Sequence, residues 1–167
     1  LNLRTGAETV RHADPKVDVD SLWFNTETRE PVLAIHWPDR QRLHAFGTGI
    51  GPDLAAMGND GGADVVSVLS HDSAMRWFVL GMQSKGSATR VILYDAQNKE
   101  RTLLTAGAWD AYRESLSPIT AVEYKARDGL SINGYLTLPA GAPAKNLPTV
   151  VLVHGGPWLR DYGTLST

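Results

Sequence analysis

Seven short runs of β-forming residues, each closed by a cluster of turn residues, constrain the fold of this chain more than any other feature. The runs are SLWF (21–24), PVLAIHW (31–37), RLHAF (42–46), ADVVSVLS (63–70), RWFVLGM (76–82), RVILYD (90–95) and RTLLT (101–105). Between them stand NTETRE, PDRQ, HDSA, QSKGSAT and DAQNKE, whose Asn, Asp, Gly, Ser and Pro favour turns through local hydrogen bonding or a preset φ. No long stretch repeats its apolar residues at helical spacing. Short strands at fairly even intervals predict a repetitive, mainly β architecture. Four antiparallel strands with polar turns make one blade of a β-propeller, and residues 1–105 have room for about two; a β-sandwich satisfies the same pattern. The units are too dissimilar in letters to be read as a repeat.

Two segments interrupt the strands. GPDLAAMGNDGG (51–62) is expected to be a loop carrying one short helical turn, and AWDAYRESLSP (108–118) a short helix or connector ended by Pro118. Beyond it the texture changes. TAVEYKARDGLSINGYLTLPAG reads as a hairpin, with apolar alternation on either side of an Arg-Asp-Gly turn at 127–129. A loop over 139–148 follows, and then TVVLVH, a near-continuous apolar run that predicts a strand covered on both faces. A domain boundary is expected near 112–118, dividing the chain into residues 1–116 and 117–167.

Composition narrows the function classes. Apolar residues make up 43% and charged residues 20% of the 167, which suits a soluble globular protein with a buried core. A net charge of −2 offers no basic field for nucleic acid or an anionic membrane. With no Cys, a disulfide framework, a thiolate zinc site and a Cys nucleophile are all excluded. No apolar run approaches membrane-spanning length and no signal-peptide pattern opens the sequence, so a soluble chain is expected, cytoplasmic or periplasmic, with the compartment itself unknown. The first residue is Leu inside what reads as a strand-turn unit, and the chain is expected to be an internal piece of a longer protein.

The sharpest chemical signal is His154-Gly155-Gly156-Pro157 directly after the apolar run. Acyl transfer builds negative charge on a former carbonyl oxygen, and a preorganised backbone N–H aimed at it is worth ~3–4 kcal/mol of barrier. Glycine lets the backbone approach a substrate closely and adopt dihedrals that a Cβ forbids. A plain strand-to-loop Gly-Gly-Pro turn is the alternative. The partner of an oxyanion site would be a nucleophile elbow, G-x-S-x-G, and the sequence contains none. GLSING (129–134) and GMQSKG (81–86) have the wrong spacing, and Ser131 falls within a strand. HDS at 71–73 collects triad residue types, but neighbours on an extended chain point apart, so a turn is expected. His12, His36 and His44 stand singly, with no spacing suited to zinc, and are read as structural. GTGIGPD (47–53) lacks the spacing and Lys of a phosphate loop. Trp23, Trp37, Trp77 and Trp109 are expected to pack between blades.

The residues SPITAVEYKARDGLSINGYLTLP and LPTVVLVHGGPWLRD closely resemble prolyl oligopeptidase family serine peptidases, most of all their acylaminoacyl-peptidase and dipeptidyl-peptidase branches. The resemblance covers roughly residues 117–163. It implies the last blades of a β-propeller joined to the first strands of an α/β-hydrolase sheet, hence an incomplete α/β domain. By the same resemblance the Gly156 N–H would be an oxyanion donor, with His154, Gly155 and Pro157 supporting the loop. Trp158, Arg160 and Asp161 would lie beside the active site in a supporting or substrate-facing role, or Arg160 and Asp161 would form a structural contact of their own. The triad Ser, Asp and His would lie beyond Thr167, so the isolated chain is expected to be inactive. No cofactor or metal is implied. The implied partners are a peptide substrate of the longer protein and either the remainder of that protein or a second copy of the chain. An esterase or lipase, and a non-enzymatic propeller-type binding module, remain the competing functions.

Overall fold

A computed structural model describes residues 2–59, 62–84 and 87–165. Each of the seven expected runs forms a strand. β1 (Ser21–Phe24), β2 (Pro31–His36) and β3 (Arg42–Ala45) make a three-stranded antiparallel sheet in chain order. After helix α1 (Ile50–Asn59), β4 (Val65–His71), β5 (Trp77–Gln83), β6 (Arg90–Asp95) and β7 (Glu100–Ala106) form a four-stranded antiparallel meander, again in chain order. A 3₁₀ turn at Ala108–Tyr112 leads to the hairpin β8 (Ile119–Lys125) and β9 (Ser131–Thr137), which pair in full register around the 127–129 turn. The chain is therefore mainly β, with antiparallel pairing throughout the described residues. Lys85 and Gly86 of the expected QSKGSAT turn, and Asp60 and Gly61 after α1, lie outside the described residues.

One device builds two of the hairpin turns. Asn25 accepts the N–H groups of Glu27 and Thr28 through Oδ1, and Asp95 accepts those of Gln97 and Asn98. Four residues on, Arg29 (φ 60°) and Lys99 (φ 62°) turn left-handed and return an N–H to the Asn25 and Asp95 carbonyls at 2.9 and 2.8 Å. NTETRE and DAQNKE thus follow one scheme: Asx, three residues, a cation in the left-handed region, then Glu. Asp72 does similar work between β4 and β5 by accepting the N–H groups of Arg76 and Trp77. Of HDS, His71 ends β4 and pairs with Phe78, while Asp72 and Ser73 open the expected turn.

The expected loop at 51–62 is instead a ten-residue helix. Ile50, Leu54 and Met57 are spaced i, i+4, i+7 and all three are buried, the stripe of an amphipathic helix. Pro52 is tolerated because the first-turn N–H groups have no intrahelical acceptor anyway. α1 packs on β3 and β2 and reaches β4. Its last residue closes the sheet edge: Asn59 Nδ2 donates to the Leu43 carbonyl at 2.9 Å, and the Leu43 N–H donates to Asn59 Oδ1 at 3.2 Å. That side chain stands where a further strand would otherwise pair. Around α1 lies one core in which Leu33 and Leu43 of the first sheet meet Val66, Phe78, Leu80 and Tyr94 of the second. Leu54, Met57, Phe78 and Leu80 are its largest fully buried side chains, each worth about 1.5–3 kcal/mol of transfer free energy. Trp23 joins this core edge-on to Phe78. Trp77 and Trp109 are substantially exposed, and Trp37 packs on Tyr162, so of the four expected inter-sheet tryptophans only Trp23 takes that place.

The expected third strand of the second unit does not form. Residues 149–154 pair with nothing in a ladder, and Val150, Val151, Leu152 and Val153 are 91, 81, 87 and 78% exposed. A run covered on both faces needs a strand on its flank and a layer above and below. Among the described residues β8 and β9 satisfy each other and supply neither.

Candidate functional site

His154–Pro157 follows this exposed run. His154 Nδ1 bonds the Gly155 carbonyl, which places a proton on Nδ1 and turns the ring back onto its own loop. Among the described residues no acceptor takes the Gly156 N–H. Neither glycine adopts a left-handed φ, and a Cβ at Gly156 would come no nearer than 3.6 Å to the Trp158 nitrogen. This chain's own atoms therefore do not demand glycine there, and any requirement for it comes from what approaches the loop from outside.

The loop is fixed from its C-terminal side. Arg160 donates from Nη1 to the Trp37 carbonyl and from Nη2, at 3.3 Å, to the Pro38 carbonyl. Its guanidinium also lies over the Tyr162 ring, 5.4 Å from the centroid, and Tyr162 packs edge-on against Trp37 at 4.5 Å. Tyr135 of β9 donates its hydroxyl to the Asp39 carbonyl at 2.8 Å. A Cβ on Gly163 would stand 2.7 Å from the Tyr135 ring, so a side chain there would have to push that ring aside. Three consecutive carbonyls, those of Trp37, Pro38 and Asp39, thus hold side chains from the last third of the sequence.

Of the residues expected beside the site, Arg160 meets the first sheet and lines an open groove of about 490 Å³ together with Asp14, Lys16, Asp18, Asp20 and Trp37. Trp158 is almost fully exposed and does not line it. Arg160 Nε reaches the backbone carbonyl of Asp161 at 3.4 Å, not its carboxylate. The groove was not legible in sequence, because Asp14–Asp20 and Arg160 lie near opposite ends of the chain and neither stretch carries a motif that names the other.

Elsewhere, charged pairs tie the elements together. Arg90 holds Asp110 through a double hydrogen bond of 2.8 and 2.9 Å, linking β6 to the 3₁₀ turn, and keeps that carboxyl below its ordinary range. Tyr94 and Lys99 both donate to Asp53 of α1. The three histidines expected to stand singly do not: His12 Nε2 lies 2.8 Å from His36 Nε2, and the His12 ring stacks on His44. No group of three His, Asp or Glu among the described residues is arranged to hold a metal ion.

Dipeptidyl aminopeptidase BIII of Pseudoxanthomonas mexicana is similar to this chain, 29% identical over 155 residues, an alignment that covers 88% of the chain and 20% of that protein. The chain therefore spans about a fifth of the length of this relative. No family model and no solved structure matches it. The similarity supports an origin among peptidases.

Proposed function

We propose that this chain is the junction of a serine peptidase of the prolyl oligopeptidase type. Residues 1–116 would be its last propeller blades, and 117–167 the opening of its α/β-hydrolase domain. The observation that carries this reading is the extent of the similarity to a dipeptidyl aminopeptidase. An alignment over 88% of a 167-residue chain is too long to lie on one side of residue 117, so it runs across the boundary. Three features support the reading. The β4–β7 meander has the form of one blade. The boundary falls in the connector between the 3₁₀ turn and β8. The apolar 150–153 run, exposed on all sides, is what a central sheet strand presents without its neighbours, and the remainder of the hydrolase domain would cover it.

In this reading the Gly156 N–H stabilises the oxyanion, His154, Gly155 and Pro157 shape the loop, and Arg160 fixes it to the 37–39 turn. Trp158 and Asp161 remain free to face a short peptide. The nucleophile comes from elsewhere in the longer protein, because G-x-S-x-G is absent here, and the 167 residues alone are expected to give no turnover.

The test uses the longer protein with dipeptidyl nitroanilides and nitrophenyl esters as substrates. Gly156→Pro removes the donor and is expected to lower kcat about 10²–10³-fold, whereas Gly156→Ala keeps the N–H and is expected to lower kcat less, with any loss arising from crowding of the substrate. A fully active Gly156→Pro enzyme, or ester turnover without amide turnover, would sink the reading.

A further inference from the structure

Residues 2–20 form no helix or strand, yet they lie across the first sheet. Among the described residues three hydrogen bonds tie them to it. Asp20 N–H donates to the Ile35 carbonyl at 2.9 Å, His36 Nδ1 meets the Asp18 carbonyl at 3.2 Å, and His12 Nε2 meets His36 Nε2 at 2.8 Å. His12 also lies flat on His44, with ring centroids 3.7 Å apart and planes 9° from parallel, and edge-on to Phe46. We propose that His12, His36 and His44 form an acid-released clasp: as neutral imidazoles they hold residues 2–20 on the β1–β3 sheet, and as imidazolium ions they let that strap go.

The proton inventory supplies the mechanism. A carbonyl only accepts, so His36 Nδ1 carries a proton and donates to Asp18. In neutral His36 the other nitrogen is then an acceptor, and His12 Nε2–H must be the donor to it. A first proton can enter at His12 Nδ1 and leave this bond intact. A second, on His36 Nε2, sets donor against donor across the same 2.8 Å and two cations against each other, and the contact cannot survive. Stacked His44 adds a third group whose charging opposes that of His12.

The surrounding charges offset the cluster only in part. Asp14, two residues from His12, is engaged by the Lys16 and Val17 N–H groups at 2.8 and 3.1 Å. Arg42 stands opposite His36 in the β2–β3 register and pairs with Asp39 at 3.5 Å. Asp18 contributes its carbonyl. Consistent with this balance, burial first, then His44 and His36, hold His12 below its ordinary value of 6.5, with Asp14 opposing.

The sign follows. A free strap takes up its proton near 6.5 and the docked strap does not, so docking is at full strength above that pH and weakens as pH falls below it. The strap carries Asp14, Lys16, Asp18 and Asp20, one wall of the groove beside Arg160, so release opens that groove on one side. The clasp stands independently of the peptidase reading.

Amide hydrogen exchange by NMR on the 167-residue chain, corrected for intrinsic rates, tests it between about pH 8 and about pH 5, the range in which histidine titrates. Protection of the Asp20 amide is expected to fall at least about fivefold on acidification, the worth of one ordinary hydrogen bond, while β5 and β6 amides keep theirs. His12→Phe keeps a ring against His44 and Phe46 but cannot titrate, and is expected to flatten the response; His44→Phe, at an exposed position, reduces it. Asp20 protection that ignores pH in the natural chain, a response that survives His12→Phe, or a fall shared by β5 and β6 each overturns the clasp.

Discussion

Replacing Gly51 by alanine sets two known effects against each other, and the structure says which wins. Gly→Ala in a helix interior gains about 1 kcal/mol, because glycine loses more backbone freedom on folding. Gly51 is buried in the first turn of α1, where a Cβ would stand 2.8 Å from the Val32 carbonyl oxygen, 3.3 Å from Ala45 Cβ and 3.4 Å from Val32 Cγ1. The nearest atom is backbone, in a central strand, and it already accepts the Phe46 N–H at 2.9 Å. It cannot swing away as a side-chain tip can. Overpacking of this kind costs about 1–3 kcal/mol, and displacing that carbonyl puts a further ~1 kcal/mol of hydrogen bond at risk. The expected net effect is a loss of about 1–3 kcal/mol, or a fall in Tm of roughly 2–12 °C for a chain of this size. Gly58→Ala is the internal control. Its Cβ would meet the Leu43 Cδ1 methyl at 3.0 Å, a group that can yield a few tenths of an ångström, so the helix gain and the crowding nearly cancel. Urea unfolding of both variants, followed by tryptophan fluorescence and far-ultraviolet dichroism, measures the difference. A Gly51→Ala chain as stable as the natural one, or more stable than Gly58→Ala, would refute the claim that α1 sits directly against the β2 backbone.

Two titrations check the charge network. Asp95 is held down to about 2, first by its hydrogen bond from Arg76 and then by the Gln97 and Asn98 N–H groups. Its contribution to stability is therefore present above the unfolded value of 3.8 and lost as pH falls toward 2. Carboxyl NMR is expected to find the midpoint near 2 and to see it climb in Arg76→Leu; a midpoint unmoved by that change would contradict the pairing. Burial, with the hydrogen bond to Asp53, pushes the Tyr94 phenol up to about 12. The neutral phenol is favoured in the fold, so stability falls as pH rises from the ordinary value of 10 toward 12. One of the five tyrosines should lag the others in phenolate absorbance, and Asp53→Asn should recover only part of the lag because burial is the larger cause.

The strands were legible because each carries its own evidence: a short β-branched or aromatic run bounded by turn residues needs no distant partner to be recognised. Helix α1 was hidden because Pro52, Gly51 and Gly58 argue locally against a helix, and the Ile50, Leu54, Met57 stripe gains its weight only once a sheet is there to receive it. The turns held more than their letters suggest. NTETRE and DAQNKE share Asx, cation and Glu at the same offsets, and the left-handed Arg29 and Lys99 give that pattern a backbone reason. TVVLVH erred in the opposite direction: its composition is that of a doubly covered strand, but coverage belongs to neighbours, and a sequence reports a neighbour only when it lies nearby in the chain.

The same distinction explains why His154–Pro157 was visible and its support was not. A glycine pair after an apolar run announces itself within a single short motif. What positions it does not, because the donors are Arg160 and Tyr135 and the acceptors are backbone carbonyls of Trp37, Pro38 and Asp39. Carbonyls carry no sequence signature, and PDRQ reads only as a turn. Yet those three carbonyls are consecutive, so any movement of the β2–β3 turn moves the anchors of β9 and of the 154–161 loop together. The first sheet, remote from the motif in sequence, thereby anchors both Arg160 and the hairpin through one turn, and the clasp proposed at His12 and His36 sits at the end of the strand that feeds that turn.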